Sequence, residues 1–383
     1  MSTNHNNYNV MNYKNISAVF IAFTLFSCST TKKTTQSPKP KNVILLISDG
    51  TGLSQISSAF FFKDSKPNYT RFKNIGLIKT SSAGQEITDS AAGATAFSCG
   101  VKTFNSAIGV ANDSTAVQTI VELASSKNVK TGLIASSAIT HATPGSFFGH
   151  QINRGMGDEI AVDLLGGKVD FFAAGGLKYF TKRKDKRNLV TELTALNYKI
   201  DTTALGNFAQ IKSSQKAGFL LAKDQLPKMS QGRGDFLSNA TELGIQFLSK
   251  DNAPFFIMTE GSQIDWGGHD NDAPYLIAEL LDFDNLIGKV LDYAEKEGNT
   301  LVVVTSDHET GGFTLSAKRK KKADGTEYDD YSKVGTSFST GGHSATLIPV
   351  FAFGPGSEEF NGIYENNEIF SKIVKLTGWD TKK

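Results

Sequence analysis

Ser90 stands in Thr88-Asp89-Ser90-Ala91-Ala92-Gly93-Ala94-Thr95-Ala96, where a serine opens a run of small, helix-compatible residues. Thr88, Asp89 and Ser90 all suit the cap of a helix, and capping is the plain structural account of the motif. The same geometry serves chemistry, because N–H groups and the positive dipole end at a helix start stabilise a phosphate or a seryl alkoxide. A serine hydroxyl is a poor nucleophile near neutral pH until a base or metal activates it. No Gly-x-Ser-x-Gly elbow surrounds Ser90, so a metal is the natural activator.

Metal-ligating residue types recur elsewhere. In Glu260-Gly261-Ser262-Gln263-Ile264-Asp265-Trp266-Gly267-Gly268-His269, Asp265 and His269 are four apart, which places both on one face of a helical turn. A carboxylate with an imidazole suits Zn²⁺. Asp307 and His308 are adjacent, so shared ligation requires the backbone to turn there, and Thr310-Gly311-Gly312 is consistent with a turn. His343 sits in Gly341-Gly342-His343-Ser344, where glycines let backbone approach a ligand. Arg154 offers a fork for two phosphate oxygens, and Thr143, in Thr140-His141-Ala142-Thr143-Pro144, offers a hydroxyl to a hard cation such as Mg²⁺. Taken singly, each has a bland alternative: a surface ion pair, a structural histidine, a surface arginine, a helix-starting threonine.

The elements that must position these groups are legible as apolar runs. Val43–Ile47, Thr131–Ala135, Phe255–Met258 and Leu301–Val304 read as strands buried on both faces, with helical patterns at Ala116–Lys127 and Ala278–Lys296. The alternation predicts an α/β fold, a three-layer sandwich with a central, mostly parallel β-sheet flanked by helices. Asp49, Glu260 and Asp307-His308 all follow strand ends, and open α/β sheets bind ligands beyond their strands' carboxyl ends. Residues 180–232, weakly periodic and rich in Lys, Thr and Gln, are expected to be a peripheral insertion, and 316–340 a long surface loop.

With 383 residues and a formal net charge of +2, the chain can bury a substantial core and shows no electrostatic call for nucleic acid. The basic runs Lys182-Arg183-Lys184-Asp185-Lys186-Arg187 and Lys318-Arg319-Lys320-Lys321-Lys322 lack interleaved aromatics and read as solvated loops, so no nucleic-acid partner is expected. Lys14 precedes an apolar stretch, Ile16 to Phe26, too short to span a bilayer. It runs into Leu25-Phe26-Ser27-Cys28, which resembles a bacterial lipobox apart from the bulk of Phe26. The expected organisation is a signal peptide over 1–28, a lipid anchor on Cys28, a flexible tether over 29–40 and one catalytic domain over 41–383. The expected location is therefore periplasmic or on the outer membrane, and Cys99 is left with no partner for a disulfide.

Together the segments Ile47–Gly52, Thr88–Ala96, His141–Arg154, Glu260–His269, Thr305–His308 and Gly341–His343 resemble the alkaline phosphatase family. The resemblance spans nearly the whole mature chain. It implies hydrolysis of phosphate monoesters to alcohol and phosphate at alkaline pH, through phosphoseryl-90, with two Zn²⁺ and one Mg²⁺. It further implies one zinc on Asp265, His269 and His343. The second would sit on Asp49, Asp307 and His308 with Ser90 as an exchangeable ligand, and magnesium on Asp49, Thr143 and Glu260. Arg154 would clamp the phosphate, with His141 and Trp266 beside it, and a homodimer is the expected assembly. His141 stands where some members have Asp, and Trp266 where others have Lys or His, which bears on magnesium retention. His150 has no evident role. A sulfatase is disfavoured because Ser90-Ala91-Ala92-Gly93-Ala94 lacks the Pro and Arg of that motif. A diesterase conflicts with a bidentate Arg154, and a mere metal or phosphate binder needs no nucleophile.

Overall fold

A computed structural model describes residues 39–380; the signal segment, Cys28 and nearly all of the tether lie outside the described residues. Fourteen strands run in chain order among the described residues: β1 (Asn42–Ser48), β2 (Asn74–Lys79), β3 (Lys130–Ala138), β4 (Phe171–Gly175), β5 (Tyr198–Asp201), β6 (Lys216–Leu220), β7 (Phe255–Gly261), β8 (Thr300–Thr305), β9 (Glu309–Thr310), β10 (Thr314–Lys321), β11 (Glu327–Ser337), β12 (His343–Ser344), β13 (Ile348–Phe353) and β14 (Gly362–Glu365). Ten of them form one sheet, ordered β14-β2-β13-β8-β1-β7-β3-β4-β6-β5. All pair in parallel except β13, which runs against both β2 and β8.

Burial on both faces explains why β1 reads as an unbroken apolar run rather than an alternating one. Val43, Leu45 and Ile47 pack into one core with Phe97, Leu133 and Phe256. Ile44 and Leu46 face the opposite core with Ile257, Phe283 and Leu286. The second core is roofed by the helix Ala273–Glu297, whose Leu276, Leu280, Phe283, Ile287, Val290, Leu291 and Ala294 recur at helical spacing and are buried. Asp272 caps its first turn through Tyr275 N at 3.0 Å, and Gly298 ends it in the left-handed region at φ 84°. The expected helix at Ala116–Lys127 is shorter, Ile120–Ser126, because Thr119 and Glu122 close a capping box that fixes its start.

Two regional expectations are corrected. Residues 180–232 are not merely peripheral: β5 and β6 extend the sheet beyond β4 and form one edge of it. Their brevity, four and five residues, leaves too little sequence for a period to show. Residues 316–340 mostly form an antiparallel hairpin of β10 and β11 rather than a loop. Its cross-strand ion pairs, among them Lys320–Asp330 at 2.5 Å and Arg319–Asp329 at 3.5 Å, put charge where a half-buried strand would alternate.

Candidate active site

The strands β7, β1 and β8 are neighbours, and their carboxyl ends deliver Glu260, Asp49 and, one turn later, Asp307-His308 to one place. Gly50, at φ 72°, permits the turn after Asp49, and a Cβ there would lie 2.5 Å from Asp265 Cα. The helix Ser90–Cys99 packs over this edge. Asp89 caps it by accepting from Ala92 N at 3.0 Å, which makes Ser90 its first residue, and all ten helical residues are buried. Small residues allow the approach: a Cβ on Gly93 would meet Asp307 Cβ at 3.0 Å.

Asp265 and His269 lie on the short helix Gln263–His269, following β7. His343 arrives through the two-residue pairing of β12 with β9, in which it stands opposite Thr310. Gly311 and Gly312, at φ 90° and 54°, supply the turn expected after His308. Glu309 locks the pairing: it accepts from Gln55 Nε2 at 2.6 Å, from Phe313 N at 3.0 Å and from the Ser344 hydroxyl.

The imidazoles converge. His269 Nε2 lies 3.2 Å from His343 Nε2 and 3.4 Å from Asp265 Oδ1, and His343 Nε2 lies 3.9 Å from the same oxygen. His308 Nε2 lies 3.2 Å from Asp307 Oδ2, 3.6 Å from Asp49 Oδ1 and 3.2 Å from Ser90 Oγ. The His308 and His343 rings stack at 3.6 Å, joining the two clusters. Each ring is oriented from behind: His269 Nδ1 donates to Gly341 O at 2.7 Å, His343 Nδ1 to Thr88 O at 2.8 Å, and His308 Nδ1 to Thr310 Oγ1 at 3.2 Å. That tautomer leaves every Nε2 lone pair facing the centre, the arrangement of metal-ligating histidines.

The carboxylates make the same case. Asp49, Glu260 and Asp307 are fully buried and Asp265 nearly so. Both oxygens of Asp49, Asp307 Oδ2, Glu260 Oε1 and Thr143 Oγ1 have no hydrogen-bond partner. Burial, reinforced by the charges of Asp307, Asp265 and Glu260, holds Asp49 well above the usual carboxylate range. Burial pushes Glu260 up to about 7 against the lowering effect of its Ser262 hydrogen bond. Burial also acts on Asp307, but His308 beside it brings the net shift below the usual range. Uncompensated buried oxygens at this density are costly, and divalent cations are what satisfies them. Among the described residues, three groups have ligand atoms mutually within 4.8 Å: Asp265 with His308 and His343, Asp49 with Asp307 and His308, and Asp49 with His141 and Glu260.

Arg154 completes the site. Its Nη1 donates to Asp89 Oδ2 at 3.1 Å and its Nη2 lies 3.5 Å from His141 Nε2. Burial and the nearby guanidinium push His141 down to about 3, so its ring is neutral and able to ligate. Trp266 packs edge-on against His141 at 5.9 Å. The structure therefore brings every expected site residue to one end of the sheet. Missed by sequence reasoning were Thr310, Glu309 and the role of Asp89 as anchor for Arg154. For Asp89 a signal existed, a capping carboxylate directly before the serine; the pairing with Arg154 depends on the loop that carries it.

A family model described as Alkaline phosphatase matches residues 40–323. The chain belongs to the alkaline phosphatase family. It is 35% identical to Alkaline phosphatase 3 of Bacillus subtilis (strain 168), over 92% of each chain. The structure of alkaline phosphatase from the Antarctic bacterium TAB5 matches with a TM-score of 0.89 and 64% identity, over 90% of this chain and 100% of that one. A His-to-Asp mutant of the TAB5 enzyme, with Mg bound in its M3 site, matches with a TM-score of 0.90 and 66% identity over the same shares. Family membership makes this alkaline phosphatase a phosphoric monoester hydrolase, and its own side chains provide metal-binding groups at the catalytic edge of the sheet.

Proposed function

We propose that this alkaline phosphatase hydrolyses phosphate monoesters through a covalent phosphoserine at Ser90, with two Zn²⁺ and one Mg²⁺. The observation that carries the reading is the placement of Ser90, a residue 2% exposed whose hydroxyl lies 3.2 Å from His308 Nε2, amid buried carboxylate oxygens with no hydrogen-bond partner on Asp49, Asp307 and Glu260. One zinc would be held by Asp265, His269 and His343, the other by Asp49, Asp307 and His308 with Ser90. Magnesium would be held by Asp49, Thr143 and Glu260, with His141 within reach. Bound there, the metals would supply Lewis acidity that lowers the hydroxyl pKa and offsets charge on the phosphoryl oxygens.

The chain's own groups do the rest. Ser90 Oγ attacks phosphorus as the bond to the ester oxygen breaks, and water then displaces Ser90 to release phosphate. Ser90 meets the phosphoryl group at a helix N-terminus, whose dipole favours the anion. Arg154 neutralises two non-bridging oxygens, and Asp89 registers that clamp against the nucleophile because one carboxylate both caps the Ser90 helix and anchors the guanidinium. Positioning and electrostatics dominate in phosphoryl transfer. Export with a lipid on Cys28 and a homodimer remain part of the proposal; intact mass and light scattering of the isolated protein test them.

The deciding measurement is metal content together with turnover of p-nitrophenyl phosphate and bis-p-nitrophenyl phosphate. Zinc with monoesterase activity rising on the alkaline side is expected; preference for the diester or no turnover would overturn the reading. Ser90→Ala should lower turnover by at least roughly a hundredfold, the scale of removing one group that acts on the transition state. It should retain both zinc ions and lose the acid-stable phosphoprotein; zinc loss instead would make Ser90 structural.

A further inference from the structure

A cleft of about 600 Å³ is lined by Lys178, Lys182, Lys184 and Lys223. Its rim includes Gly155 and Met156, the residues directly after Arg154. Lys182 and Lys184 belong to the basic run that read as a solvated loop. The structure gives that run a fixed form: Arg183, its side chain 4% exposed, donates to Asp158 O and, at 3.1 Å, to Tyr179 O, and pairs with Asp185 at 2.5 Å. With the central arginine buried as an anchor, its two neighbours are held on the cleft wall. Lys178 is neutralised by Asp224 at 2.5 Å. Lys182, Lys184 and Lys223 have no ion-pair partner among the described residues. Of the acids in the lining, Asp158 lies 3.9 Å from Arg183, leaving Glu159 as the uncompensated one. The cleft carries an excess of free positive charge.

We propose that this cleft is a leaving-group subsite that favours monoesters whose alcohol portion carries a second phosphate. This inference rests on the phosphomonoesterase reading above. While Arg154 engages the phosphoryl group being transferred, the remainder of such a substrate would lie along the loop 155–157 with its distal phosphate among Lys182, Lys184 and Lys223. Clustered ammonium groups recognise phosphate as point charges, with an attraction that salt screens.

The test compares fructose 1,6-bisphosphate with p-nitrophenyl phosphate on the metal-loaded enzyme. Replacing Lys182, Lys184 and Lys223 together by Gln should lower kcat/KM for the bisphosphate about tenfold, chiefly through KM, and leave p-nitrophenyl phosphate within about twofold. A control replacing Lys318, Lys322 and Lys333 of the hairpin by Gln matches the change in net charge and should move neither substrate. The wild-type preference for the bisphosphate should shrink as salt is raised from 0.05 to 0.5 M, to the level of the triple variant. Equal loss on both substrates, equal loss in the control, or an unchanged bisphosphate KM would overturn the subsite. Absence of wild-type activity on p-nitrophenyl phosphate would instead refute the underlying phosphatase reading.

Discussion

Thr310 donates its hydroxyl hydrogen to Asp265 Oδ1 at 2.5 Å while accepting from His308 Nδ1 at 3.2 Å. One buried hydroxyl thereby orients a ligand of each proposed zinc site. Thr310→Val keeps the shape and removes both bonds. Activity or zinc affinity should fall by roughly 10- to 100-fold, the scale of losing an outer-shell partner of a metal ligand. Thr310→Ser should restore most of it. Zinc retention on dialysis against a chelator is the measurement, and a valine variant with wild-type retention and rate would remove the assignment.

Arg154 touches Asp89 and His141 but none of the expected metal ligands around Asp265 and Asp307. Arg154→Ala should therefore weaken product inhibition by phosphate by on the order of tenfold or more, the worth of a charge-assisted hydrogen bond. Metal content should stay intact. Unchanged inhibition would mean that the guanidinium serves only to brace Asp89.

His150, for which the sequence offered no role, ties its segment to the Gly109 backbone and to the helix Ile120–Ser126, with Nδ1 2.7 Å from Gly109 O and Nε2 3.2 Å from Glu122 Oε1. The Glu122 hydrogen bond, opposed by burial and helped by Gly109 and Asp163, raises the His150 pKa above its ordinary value. A raised folded-state pKa means stability that is fully present below the unfolded pKa and lost as pH rises through the folded one. Glu122→Gln preserves the capping box with Thr119 but removes the charge. Because the pair is partly solvated, the expected cost below pH 6 is about 0.5 kcal/mol, on the order of 1 °C in Tm. It should vanish by pH 9. A Tm difference independent of pH would show that the pair acts through its hydrogen bond alone.

Local sequence determined the strands and the identity of the chemistry-bearing residues. The apolar runs at Val43–Ile47 and Leu301–Val304 announce strands because burial on both faces tolerates nothing else. Asp89, Ser90 and the small residues after them announce a helix start by composition alone. Tertiary structure decided what local pattern cannot encode. The order β8-β1-β7 places Asp307, Asp49 and Glu260 side by side although they lie far apart in the chain. The pairing of His343 with Thr310, and the carbonyls of Gly341 and Thr88 that set two histidine tautomers, depend on contacts between distant segments. The hairpin of β10 and β11 was hidden because its stabilising partners are opposite charges on the facing strand, and a single strand read alone shows only half of each pair.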